Sequence, residues 1–293
     1  YKYIGNRRMK SLLRKIFNKI TLERFPGIFR PHSLPYISGD TFRNYSKYIF
    51  DEVKTFNPKD VKKNDVVFVN SELIDLYFKI QNPKIENKYI LISHNSDKSL
   101  TKKDLNLKNE KIIHWFAQNL EVESTDTYSL IPIGIENKRW LRYGLNRRFK
   151  IKNTKTKFIL SSFNEFNNYE ERTKVLKLVN KNYLIDNLKF KDASSYFNGV
   201  SKYKFVLCPA GNGPDTHRIW ESLLLKCFPI LELNSFTSNL KKIGVPGIYL
   251  NSWNDLIKYT KDDLNKEYDN LSNESLDFLY FDYWKKEVES KFL

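Results

Sequence analysis

Cysteine is nearly absent from this sequence: only Cys208 and Cys227 occur, with no CxxC pair and no Cys/His spacing of the kind that holds a metal. A disulfide framework and a structural zinc site are therefore excluded, and a reducing compartment is the expected setting. Glycine is scarce too, with ten residues among 293. Neither GxGxxG nor GxxxxGK[ST] occurs, which removes the dinucleotide fingerprint and the phosphate-binding P-loop. No run of about 18 apolar residues is present, so no membrane-spanning helix is encoded. Acid is in deficit, 34 Asp+Glu against 50 Lys+Arg, for a net charge of +16. That excess favours an anionic partner: nucleic acid, an acidic membrane surface, an anionic glycan or a nucleotide diphosphate.

What is present is globular. Hydrophobic residues make up 41% of the chain and aromatics 15%, which excludes disorder. The length is about twice a ~100–150-residue domain, so two cores are expected. Short apolar runs recur, each ending in polar residues or glycine and followed by a helical stretch. Strands are predicted at 36–38, 65–70, 89–93, 112–116 and 129–134, then at 157–162, 187–190, 204–208, 228–233 and 247–250. Helices are predicted at 43–56, 71–80, 169–182, 216–227, 253–263 and 273–290. Runs without polar alternation are strands buried on both faces, as in parallel α/β sheets. Alternating βα units predict doubly wound sheets.

The basic, aperiodic stretch 142–157 reads as a linker. It divides an N-terminal domain (1–150) from a C-terminal one (151–275), with a final helix (276–293) expected to pack back on the first. At the start, Leu12, Leu13, Ile16, Phe17 and Ile20 fall at helical spacing among seven Lys/Arg. A basic helix over 1–22 is predicted, either an ordinary surface helix or one resting on anionic lipid. The chain opens at Tyr1 without an initiator methionine, the expectation for a piece of a longer protein. The expected location is the cytoplasm, with peripheral membrane contact through that helix as the variant.

In open α/β sheets ligands bind beyond the carboxyl ends of the strands. Asp40 follows the run 36–38 and is either a helix N-cap or a general base, with Arg43 one turn on to tune its charge. "YILISHNSD" ends in His94, Asn95, Ser96 and Asp97; His94 is the second candidate base. Gln118, Asn119, Glu136 and Asn137 also follow apolar strands, where amides and carboxylates suit sugar hydroxyls. With Arg43, Asn95 and Asp97 they form the expected acceptor site. In the second half, Ser162, Asn164 and Arg172 sit where a helix N-terminus and a cation make an anion site.

The most specific stretch is "CPAGNGPDTHRIWESLLLKCFPILE" (208–232). A buried strand runs into a loop whose Gly211, Asn212 and Gly213 are able to take positive φ and expose N–H groups. A helix follows, capped by Asp215 or Thr216, with Arg218 and Glu221 on one face. Arg218 suits phosphate and Glu221 suits ribose hydroxyls.

These residues resemble the exostosin-like glycosyltransferases, a GT-B group whose nucleotide-binding half carries "HR-aromatic-WE-(A/S)-L…GC-(I/V)-P-(I/V)". Here the pattern stands as His217-Arg218-Ile219-Trp220-Glu221-Ser222-Leu223, then Lys226-Cys227-Phe228-Pro229-Ile230. Ile219 replaces the aromatic and Lys226 the glycine, and the match covers about 205–232. The resemblance implies two Rossmann-type domains facing across a cleft. A UDP- or GDP-linked sugar donor would lie in the C-terminal half, against Ser162, Asn164, Arg172, Pro209, Gly211–Gly213, Asp215–Arg218 and Glu221. A glycan acceptor, anionic or lipid-linked, would lie in the N-terminal half. Transfer would be inverting and metal-independent, and no cofactor or nucleic acid is expected. The alternatives are a fucosyltransferase-like GT-B enzyme using GDP-fucose, and a basic nucleic-acid-binding or glycan-binding protein.

Overall fold

Apolar runs too continuous to face water form the centres of two parallel sheets. The structure is a computed structural model and describes residues 30–140, 143–179 and 182–293. The basic helix expected at 1–22 lies outside the described residues. The first sheet holds β1 (Tyr48–Phe50), β2 (Val66–Asn70), β3 (Tyr89–His94), β4 (Ile112–Ala117) and β5 (Tyr128–Leu130), side by side in chain order. The second holds β6 (Lys157–Ser161), β7 (Ile185–Asn187), β8 (Tyr203–Leu207), β9 (Phe228–Glu232) and β10 (Ile248–Leu250), in the order β10-β9-β8-β6-β7. Every pairing is parallel. This is the α/β, GT-B-like class expected, two parallel sheets with a cleft between the halves; the second is doubly wound, whereas the first, expected to be so too, runs in chain order without a reversal. All of β3 is buried, and Phe68, Leu91, Ile92 and Trp115 are without exposure. Each such side chain contributes about 1.5–3 kcal/mol on burial.

The helices are α1 (Gly39–Tyr45), α2 (Ile74–Ile80), α3 (Lys102–Leu105), α4 (Tyr169–Val179), α5 (Ala193–Val200), α6 (His217–Leu224), α7 (Ser235–Lys242), α8 (Lys261–Leu271) and α9 (Phe281–Glu289). None of the described helices is long and apolar enough to cross a membrane. In the second sheet the chain steps outward from β6 to β7, then returns to the other side of β6 as β8. That reversal opens a crevice at the carboxyl ends of β6 and β8, where such sheets bind ligands.

Several local expectations change. Residues 36–38 form no strand; Tyr36 and Ser38 make isolated bridges, and Ser38 caps α1 by accepting from Thr41 N. The helix predicted over 43–56 ends at Tyr45, because Ser46 turns extended and Tyr48–Phe50 pairs with β2. Helices α5 and α7 were not predicted; each opens on a capping box, Asp192 with Ser195 and Asn234 with Thr237. Part of the basic linker is a 3-10 helix (Asn146–Lys150) whose Phe149 packs edge-on against Tyr36 and Phe197. The last helix, α9, lies on the first half: Phe281 touches the rings of Phe42 and Tyr45 and donates its N–H to Pro35 O.

Candidate functional site

The crevice at β6 and β8 widens into a cavity of about 940 Å³ between the halves. At its inner end two guanidinium groups converge. Arg172, on α4, donates from Nε to Ala210 O at 2.8 Å and from Nη1 to Asn164 O at 2.6 Å. Arg218, on α6, donates from Nη2 to Ser162 O at 3.0 Å. Both lie over the ring of Phe163, at 5.5 and 5.8 Å from its centroid. The Nε and Nη1 of Arg218 and the hydroxyl of Thr216 are buried without a hydrogen-bond partner. Burial, then the charge of Arg218, pushes the Arg172 guanidinium down to about 10. Two cations held together mainly by backbone carbonyls are costly unless an anion joins them.

The 208–216 loop works differently from the expectation. Neither Gly211 nor Gly213 has positive φ; among the described glycines only Gly134 and Gly244 do. The Gly211 N–H is spent on Gly213 O at 2.9 Å, so it is not offered to a ligand. Small size is what both positions need. A Cβ on Gly211 would sit 3.0 Å from Arg172 Nη2, and one on Gly213 would sit 2.8 Å from Asn119 Nδ2 and 3.0 Å from Asp97 O. Pro209 is buried behind the loop and does not line the cavity. Asn212 donates to Asp97 Oδ2 at 3.1 Å, across to the other half.

The residues after the loop clamp the two halves. Asp215 accepts from Ile133 N at 2.7 Å and from Trp220 Nε1 at 2.8 Å, while its own N–H donates to Asn119 Oδ1 at 3.1 Å. His217 donates from Nδ1 to Gly134 O at 2.8 Å, since a carbonyl only accepts. Glu221 accepts from Glu136 N at 3.2 Å. Three side chains thus grip the backbone of 133–136, and no side chain of Thr216 caps α6. Burial raises the carboxyls of Asp215 and Glu221, each to about 7. Burial works against charge on His217, but the Glu136 and Glu221 carboxylates outweigh it and raise its pKa.

A second, smaller cavity of about 210 Å³ opens beside the first, lined by Asn95, Gln118, Glu136, Asn137, Arg139 and Trp140 among others. Its floor is a ring of polar bonds. Asp40 N donates to Asn137 Oδ1 at 2.7 Å, Asn137 Nδ2 to Asn95 Oδ1 at 3.0 Å, and Asn95 Nδ2 to Asp40 Oδ1 at 3.2 Å. Gln118 donates to Ser96 O, leaving its Oε1 buried and unpartnered. Asp97, Ile133, Glu136 and His217 line both cavities.

The two expected bases stand elsewhere. Asp40 is fully buried beneath the second cavity and lines neither one; Arg30 donates to its Oδ1 and Arg139 Nε lies 3.5 Å from Oδ2. Desolvation raises its pKa against the pull of Arg30 and Arg139. It was expected to stand exposed as a base, and without exposure it has no route to an acceptor hydroxyl. His94 has both ring nitrogens engaged, Nε2 donating to Pro132 O at 3.0 Å and Nδ1 accepting from Asn95 N at 2.7 Å. Burial holds its pKa down at about 4, so it is a neutral positioning group. Arg43 is buried against Asp51 at 2.6 Å, not beside Asp40, and reaches no cavity. Asn119, expected at the acceptor, instead links the halves.

Ser162, Asn164, Arg172, Gly211–Gly213, Asp215–Arg218 and Glu221 all border the larger cavity. Phe163, Tyr196, Arg139 and Trp140 also line these cavities and were missed. For Phe163 a signal existed, an aromatic directly after the polar strand end Ser161-Ser162. For Tyr196 none did, because α5 was unrecognised. Among the described residues no group of three or more His, Cys, Asp or Glu has metal-binding geometry.

No protein-family model matches the chain, and no curated protein matches it at a significant level. Among solved structures it is similar to the N-terminal domain of Candida albicans trehalose-6-phosphate phosphatase, with 11% identity, TM-score 0.40, and coverage of 79% of this chain and 72% of that one. It is also similar to UDP-GlcNAc 2-epimerase from Methanocaldococcus jannaschii, with 13% identity, TM-score 0.33, and coverage of 72% and 70%. At these TM-scores neither likeness bears on function.

Proposed function

We propose that the protein is a glycosyltransferase that moves a sugar from a UDP- or GDP-linked donor to a glycan acceptor, inverting and without a metal ion. The observation that carries this reading is the Arg172–Arg218 pair over Phe163, at the strand-order reversal of the second sheet. The departing group of such a transfer is a nucleoside diphosphate, and fixed cations in a water-poor site stabilise it as charge develops. Glu221, with one oxygen held by Glu136 N, faces the same cavity and suits ribose hydroxyls. The resemblance of 205–232 to the exostosin-like pattern supports the same assignment. The smaller cavity, with its amides and the Arg139–Trp140 stack at 5.1 Å, suits one acceptor sugar. A net charge of +16 favours an anionic or lipid-linked acceptor.

The test is release of the nucleotide (UDP, GDP or CMP) from a panel of UDP-, GDP- and CMP-sugars, GDP-fucose included, with mixed glycan acceptors and a chelator. Turnover of one UDP- or GDP-sugar with chelator present is expected. A strict metal requirement, or no turnover with any donor, would contradict the proposal.

A further inference from the structure

His217 stands on the wall shared by the two cavities, and its ring is already oriented for proton transfer. The Nδ1–H is fixed on Gly134 O at 2.8 Å, which leaves Nε2 as the nitrogen without a backbone partner. Gly134 presents that carbonyl from a positive φ of 70°, and a Cβ there would fall 2.4 Å from Ile37 O. Nε2 lies 3.6 Å from Glu136 Oε1, and the imidazole side chain is 28% exposed. A histidine held at one nitrogen by a carbonyl, with the other facing both a carboxylate and an accessible cavity, has the arrangement of a general base.

We propose that His217 is the catalytic base of the transfer, taking the acceptor's proton at Nε2 where the smaller cavity meets the larger one; this rests on the larger cavity being the donor site. As the acceptor oxygen bonds to the anomeric carbon, its proton moves to Nε2. The bond from that carbon to the phosphate oxygen breaks, and its electron pair leaves with the nucleoside diphosphate toward Arg172 and Arg218. The imidazolium so formed faces Glu136, on the segment after β5, and later returns its proton to water. Other titratable groups around it are Asp215 on the loop before α6, Glu221 on α6 and His94 at the end of β3. Glu136 is the carboxylate that Nε2 faces, and Asp215 and Glu221, each raised to about 7, add to it once they ionise. Neither Asp40 nor His94 offers a reachable lone pair.

The experiment compares wild type with His217→Asn, whose Nδ2 stands where the ring's Nδ1 does and keeps the bond to Gly134 O. It measures UDP and GDP binding by calorimetry, and turnover against pH with the donor found in the sugar panel. The expected result is nucleoside diphosphate affinity within about threefold of wild type, with turnover down by roughly 10²–10⁴-fold. The wild-type fall in turnover at acid pH should disappear in the variant. Turnover within tenfold of wild type overturns the role of His217 while leaving the donor site standing. Loss of diphosphate binding in the variant, matching its loss of turnover, makes His217 a donor ligand and also overturns it. Wild type that binds neither UDP nor GDP removes the donor-site reading itself, and the base with it.

Discussion

Glu221 is the residue where the account becomes measurable by pH. Its carboxyl titrates at about 7 in the folded protein, against ~4.3 in an unfolded chain. Between those values the folded state keeps a proton that the unfolded state has released, so stability falls as pH rises from about 4 to about 7. Asp215, also raised to about 7, acts in the same direction. Replacing Glu221 by Gln keeps an acceptor for Glu136 N but removes the titration. Urea denaturation at pH 5 and pH 7.5 should show wild type losing stability relative to Glu221→Gln, by roughly 1–3 kcal/mol. Parallel changes in the two proteins would mean that Glu221 is not held protonated by burial.

At the scale of elements, the loop 208–216 joins the proposed donor site to the clamp, and Gly213 is its tightest point. A Cβ there would press on Asn119 Nδ2 and Asp97 O at 2.8 and 3.0 Å. Asn119 would have to leave the Asp215 N–H, which it accepts at 3.1 Å. Overpacking of this kind costs about 1–3 kcal/mol, so Gly213→Ala should lower the thermal midpoint by several degrees. An unchanged midpoint would show that the halves do not meet here. The sequence announces such elements unevenly. Central strands such as Val66–Asn70 and Tyr89–His94 are legible because burial on both faces makes them continuously apolar. The edge strand Tyr48–Phe50 is not, because it is short and its state comes from pairing with β2. In loop and helix 208–227 the sequence points to Arg218, which the structure places on the larger cavity, yet the glycines' work, close packing instead of positive φ, depends on the facing half. Asp40 misleads for the same reason: a polar residue after an apolar run looks exposed until Arg30, Asn95 and Asn137 cover it.

Across the whole molecule, the proposed function draws on both sheets, and neither half lines the cavities alone. The second sheet supplies Arg172, Arg218 and Glu221; the first supplies Glu136, Gln118 and the backbone of 133–136 that Asp215, His217 and Glu221 hold. A net charge of +16 favours anions, and in the proposed reading the paired guanidiniums seat one of them. The most direct measurement is calorimetric titration of wild type and Arg218→Met with UDP and GDP in the presence of a chelator. Methionine keeps the unbranched apolar stem to about the position of Nε and removes the donors. Charge-assisted hydrogen bonds are each worth about 1.5–3 kcal/mol, so wild type should bind one diphosphate and Arg218→Met should bind it roughly 10–100-fold more weakly. Equal affinity in the two proteins, or no binding by wild type, would contradict the assignment of this cavity to a nucleotide-sugar donor.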